Sequence, residues 1–215
     1  MATLAELARL RPQLAHVTFI GGWDNIRRHG TLMSVNSLVA EAGINGREAA
    51  DLVASYRSDL EIVRLPDGTK AVLRDQLRRR KDVESALEGL TEEEWLGLLN
   101  ARAYFFPTGH KRIGELIEAY TKKGFAQEEV RFKTVELLKG CDDRVEVSTV
   151  NAGTFGRTKG ASRGRDTFVP LSKLPRKLLA RVQEVTVLDG IAVTEKNVRS
   201  VIRHLPSGRT EKMWP

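Results

Sequence analysis

The sequence predicts an α+β fold built from short strands and short helices, and three observations carry that prediction. Period-two and helical apolar spacings alternate along the whole chain, so neither element type is segregated to one half. The long, regular βαβ units of a doubly wound sheet do not occur. The chain has 215 residues, 41% of them apolar, and no internal repeat, which suits one core and a single domain over residues 1–215.

Taken in order, the spacing over residues 3–10 predicts a helix that Pro12 ends. Residues 16–20 read as a strand, followed by the Gly21-Gly22 turn and a short helix through Trp23 and Ile26. Helices are expected over 34–42 and 47–56. Residues 61–65 and 70–74 are β-rich runs around Pro66-Asp67-Gly68 and predict a hairpin. Thr91-Glu92-Glu93-Glu94 fits a capping box and starts a helix that stops near Asn100. Residues 103–106 form a short apolar strand halted by Pro107, and a helix covers 110–121. Strands are candidates over 130–135 and 145–150. Residues 151–175 are Gly-, Ser-, Thr- and Arg-rich with no apolar periodicity, a long loop of the kind that is functional or disordered. A strand over 181–188 and a closing helix over 194–204 complete the expectation.

Several function classes are disfavoured. No stretch approaches the roughly 18 to 20 uninterrupted apolar residues of a membrane span, and the N-terminus lacks a basic segment followed by an apolar one, so a cytoplasmic protein is expected. Cys141 is the lone cysteine; it forms no internal disulfide or cysteine metal cage, and Asp142 and Asp143 beside it would raise its pKa, so it reads as an ordinary half-buried thiol. Neither Gly-x-Gly-x-x-Gly nor P-loop spacing occurs.

Two features point toward chemistry. His16 and Thr18 lie two residues apart, on one face of a strand that ends in a glycine turn, which is a place for a ligand. Net charge is +7, from 35 Lys and Arg against 28 Asp and Glu, and the excess is clustered. Arg78-Arg79-Arg80-Lys81 is one run; Arg157, Lys159, Arg163 and Arg165 crowd the long loop, whose only nearby acid is Asp166. Such clusters suit a polyanion, because neutralised phosphates release condensed counterions. A solvated face is the competing reading, more so for the first run than for the loop.

His16-Val17-Thr18, Trp23, Ile26, His29-Gly30 and Leu32, then residues 95–106, then Asn151-Ala152-Gly153-Thr154, residues 163–168 and Gln183-Glu184-Val185-Thr186-Val187, taken together, resemble an uncharacterised bacterial family related to the DarT-type ADP-ribosyltransferases. The resemblance spans residues 14–201. It implies an ADP-ribosyltransferase-like fold: two short-stranded sheets with a central NAD cleft and flanking helices. It further implies that His16 and Thr18 on the first strand hold the ribose and amide parts of NAD, and that Glu184 on a late strand stabilises the reaction. Arg74 is the nearest counterpart of an arginine that such enzymes use, and it is matched over a looser stretch. NAD is then the substrate, and no metal is expected.

The residue types suit that chemistry. Breaking the nicotinamide–ribose bond passes through an oxocarbenium-like centre that a carboxylate stabilises, the role given to Glu184. Arg74 at the diphosphate would make charge-assisted hydrogen bonds. Phe105 and Phe106 point to opposite faces of their strand; one belongs to the core and the other, assigned as Phe106, lines the nicotinamide pocket. The plainer alternatives are a His16 bonded to backbone, a Glu184 facing water on a half-exposed sheet, and a Trp23 that is only a packing anchor.

The resulting expectation is an NAD-dependent ADP-ribosyltransferase that modifies a DNA or RNA base, with Arg157, Lys159, Arg163 and Arg165 on the phosphates. By analogy it would be a toxin or phage-defence effector with an antitoxin partner. Modification of a protein or small molecule, or a non-catalytic nucleic-acid-binding module, are the alternatives.

Overall fold

A computed structural model describes residues 1–76, 86–153 and 162–214. Its axis is strand β1 (Gln13–Phe19), whose two neighbours are bound to it very unequally. Strand β6 (Gln127–Lys133) pairs antiparallel with β1 over its whole length, from Gln13↔Lys133 to Phe19↔Gln127. Strand β5 (Arg102–Pro107) pairs with it only at Leu14↔Pro107 and Ala15↔Phe106. Past Ala15 the two strands part, and β5 pairs instead with β9 (Glu184–Leu188).

With β7 (Val145–Ser148), β8 (Val169–Pro170), β11 (Val198–His204) and β12 (Thr210–Trp214) added, the sheet runs β12-β11-β6-β1-β5-β9-β7-β8. It therefore consists of two four-stranded halves joined by two residue pairs. Two small sheets accompany it: β2 (Thr31–Met33) with β10 (Gly190–Ala192), and the β3 (Glu61–Arg64)–β4 (Lys70–Leu73) hairpin.

The helices fall where the capping chemistry puts them. Thr3 closes a capping box with Glu6 on α1 (Leu4–Leu10), and Thr91 does so with Glu94 on α5 (Glu92–Asn100). Helix α2 (Gly22–His29) starts behind the left-handed Gly21 and ends at the left-handed Gly30. Helices α3 (Val35–Glu41) and α4 (Gly46–Ala54) pack with the β3–β4 hairpin around Val39, Val63, Leu65 and Leu73. Helix α6 (Lys111–Thr121) covers Ala15, Val17 and Phe106 through Ile113. The main core, including Leu14, Phe105, Phe132, Val185 and Val201, lies under both halves of the sheet. No described helix is long and apolar enough to cross a membrane.

Three expectations need correcting. Residues 194–204 do not close the chain as a helix: β11 pairs with β6 and turns through Pro206-Ser207-Gly208 into β12. A bulge between Val198 and Ser200 brings Val198 and Val201, three residues apart, onto the same buried face, so a strand carries a helical spacing. The strand expected over 130–135 begins earlier, at Gln127, and gives way to helix α7 (Thr134–Leu138). The strand expected from 181 starts at Glu184, behind a 3-10 turn over Arg176–Arg181.

Candidate active site at the strand split

Parting two strands leaves backbone groups that need new partners, because an unpaired buried peptide group costs about as much as a lost hydrogen bond. If the ladder continued past Ala15↔Phe106, Val17 would face Tyr104. Side chains take its place. The Val17 carbonyl accepts from Arg74 Nη2 at 3.0 Å, and the Tyr104 carbonyl lies 2.9 Å from His16 Nδ1. Two residues singled out in the sequence thus hold the split open from its two sides.

The space between is a cleft of about 520 Å³, within the usual size of a small-molecule site. His16, Thr18, Arg74, Phe106 and Glu184, all five expected catalytic or NAD-binding residues, line it. Burial, with the Arg74 charge adding to it, pushes the His16 pKa down to about 4. The imidazole is therefore neutral at pH 7; Nδ1–H donates to Tyr104, and Nε2 is left as an acceptor. The plainer reading of His16, a ring bonded to backbone, and its place in the cleft hold together.

Thr18 is fixed from the other side of the glycine turn. A Cβ on Gly22 would stand 2.2 Å from Thr18 Oγ1, so only glycine lets α2 approach the strand this closely. Trp23 is a packing anchor, buried against Trp214 with ring centroids 5.9 Å apart.

Arg74 is held firmly. Besides the Val17 carbonyl, Nη2 donates to Gln127 Oε1 at 2.7 Å, and the guanidinium lies 4.7 Å from the Phe19 ring centre and 4.5 Å from that of Tyr120. Its Nη1 is buried with no hydrogen-bond partner among the described residues. The Tyr120 hydroxyl donates to Asp75, which also takes Lys123 Nζ at 3.2 Å; burial, then this carboxylate, push the Tyr120 pKa up to about 12. No sequence signal marked Tyr120, whose spacing on α6 is that of any core-facing aromatic. Arg57 and Gln76, which also line the cleft, both donate to Asn100 Oδ1, at 3.2 and 3.3 Å, a cluster assembled from three distant segments.

Glu184 opens β9. Val185 and Val187 are wholly buried in the core, so the strand's alternation turns Glu184 to the opposite side, into the cleft. It does not face water: only 2% of its surface is exposed. Its Oε2 accepts from the backbone N–H of Ala152 at 3.1 Å.

The basic loop divides. Arg157 and Lys159, like the run from Arg78 to Lys81, lie outside the described residues. Arg165 is exposed and pairs with Glu94 at 2.9 Å. Arg163 is not part of an exposed stripe, and its assignment to phosphates is corrected. It is 5% exposed, and its guanidinium donates to the Asn151 carbonyl at 2.8 Å. Its backbone is tied on both sides, N–H to the Ala86 carbonyl and carbonyl to the Glu88 N–H. The charge that looked like a substrate contact in sequence is buried and bonded to the carbonyl of the peptide whose N–H donates to Glu184. No group of three or more metal-ligating side chains occurs among the described residues.

Fold and site together define an α+β protein with a ligand-sized cleft where its central sheet parts. The chain belongs to a family of unknown function (DUF7002), which it matches over residues 12–198. No curated protein and no solved structure matches it.

Proposed function

We propose that the protein is an NAD-dependent ADP-ribosyltransferase with an ADP-ribosyltransferase-like fold, acting on nucleic acid. The observation that carries this reading is the convergence of His16, Thr18, Arg74, Phe106 and Glu184 on one cleft at the strand split. The residues fit a dinucleotide. Arg74 supplies a fixed cation with an unused buried N–H for a diphosphate, neutral His16 and Thr18 offer an acceptor and a hydroxyl for ribose, and Phe106 gives an aromatic wall.

In this reading the bond from ribose C1′ to the nicotinamide nitrogen breaks, nicotinamide leaves with the electron pair, and an acceptor atom attacks C1′ and loses its proton. Glu184, preorganised by the Ala152 N–H, faces the positive charge that develops at C1′. A buried carboxylate does this more strongly than an exposed one, because the surrounding dielectric is low.

A nucleic-acid acceptor is favoured by the net charge of +7 and by the cations lining the cleft, among them Lys70, Arg112 and Lys123. The test is release of free nicotinamide from NAD, with and without DNA or RNA oligonucleotides. Release that depends on an oligonucleotide is expected. Release that needs protein instead would move the acceptor to protein, and no release under any condition would overturn the transferase reading.

A further inference from the structure

Arg163 has no reach to a substrate: its side chain is buried and its backbone is clamped between Ala86 and Glu88. What it touches is the turn that follows β7. Ser148 folds that turn by accepting from the Val150 N–H at 3.2 Å and donating to the Val150 carbonyl at 2.8 Å. Gln183, the residue before Glu184, donates through its N–H to the Ser148 carbonyl at 2.9 Å and through Nε2 to the Thr149 carbonyl at 2.9 Å. Next in the chain, Asn151 gives its carbonyl to Arg163 and Ala152 gives its N–H to Glu184.

These two bonds flank one peptide unit. The Asn151 carbonyl and the Ala152 N–H belong to the same planar group, so the Arg163 guanidinium pulls on one end while Glu184 takes the other. A donor on the carbonyl polarises the amide and strengthens what its N–H gives to the carboxylate. We infer that Arg163 is a positioning residue for Glu184, acting through the Asn151–Ala152 peptide to fix the carboxylate's orientation in the cleft. Burial lowers the Arg163 pKa, and the charge of Glu184 offsets part of that.

The catalytic consequence rests on the transferase reading; the anchoring does not, and the two are separable. Arg163→Met removes both donor and charge, whereas Arg163→Lys keeps the charge and one reaching donor. In hydrogen exchange, the Ala152 amide should lose protection by about tenfold or more in Arg163→Met and regain part of it in Arg163→Lys. In nicotinamide release, Arg163→Met should lower kcat by about tenfold to a hundredfold while KM for NAD stays within about twofold, as for a misplaced catalytic group. In the Glu184→Gln background the same change should cost almost nothing more, because both substitutions act on one carboxylate. Unchanged Ala152 protection in a folded Arg163→Met protein, or fully additive kinetic effects, would overturn the inference. A wild-type protein that releases no nicotinamide would overturn the transferase reading instead, and the amide protection would still decide the anchoring.

Discussion

The two halves of the central sheet meet the cleft with opposite chemistry. On the β1 side the lining groups are a neutral imidazole, a hydroxyl and a buried guanidinium. On the β9 side the group is a carboxylate, seated on a strand whose alternate residues are wholly buried valines. The β1 side needs side chains to replace the lost ladder, so His16 and Arg74 are part of the fold as well as of the cleft. The β9 strand keeps its ladders, to β5 on one side and β7 on the other, and Glu184 is spared that duty. A change at Glu184 leaves every sheet ladder in place, whereas a change at His16 or Arg74 removes a bond that stands in for one.

Four substitutions sharpen that contrast. Glu184→Gln should leave folding and NAD affinity nearly intact while cutting transfer by about a hundredfold or more, the loss expected from one preorganised charge. Arg74→Met should fail on both counts: NAD binding weakens, and unfolding in denaturant shows a loss of roughly 2 to 3 kcal/mol, because the Val17 carbonyl and Gln127 lose a charged donor and two rings lose their cation. If Arg74→Met kept full stability, the strand split would not depend on it.

His16 separates the halves by pH. Its folded pKa of about 4 lies below the unfolded value of 6.5, so the folded state favours the neutral ring. The stability this contributes is fully present above pH 6.5 and is lost as pH falls from there toward 4, by up to an order of 3 kcal/mol. Chemical denaturation at pH 7 and pH 4.5 should show a shallower acid loss in His16→Gln than in wild type; parallel curves would refute a buried neutral His16. The smallest effect is expected at Arg165, whose exposed pair with Glu94 is screened by solvent. Arg165→Ala should leave stability unchanged, and it should flatten the log-log salt dependence of oligonucleotide binding by about one unit if Arg165 meets a phosphate.

How much of this was legible in sequence depended on where the partners lie. Leu65-Pro66-Asp67-Gly68-Thr69 was readable as a hairpin turn because both flanking runs are plainly β-rich. Leu205-Pro206-Ser207-Gly208-Arg209 makes the same bonds, Leu205 N–H to the Arg209 carbonyl and Gly208 N–H to the Leu205 carbonyl, with Gly208 left-handed. It went unread because the bulge in β11 disguised its first arm. The same arm carries the partners of two buried carboxylates: Arg203 lies 2.8 Å from Glu128 and His204 lies 3.3 Å from Glu129. Burial raises the Glu129 pKa, but the hydrogen bonds from His204 and Arg131 outweigh it and hold the carboxyl below its ordinary range.

The site itself was legible where alternation decides it. Val185 and Val187 in the core force Glu184 to the other face, and His16 and Thr18 share a face by the same rule. Arg163 was misread because sequence gives charge without depth. Four cations in nine residues look like one surface, and only the pairing of Arg163 with Ala86 and Glu88, far earlier in the chain, and with Asn151 at the start of the loop shows that one of them turns inward.

The join between the half-sheets is a spine in the bookbinder's sense. At one of its two residue pairs stands Pro107, which has no N–H to give, so the neighbouring Thr108 N–H closes the seam on the Gln13 carbonyl at 3.1 Å. With so few hydrogen bonds at the seam, amides at the join should exchange ahead of those in the β1–β6 and β5–β9 ladders.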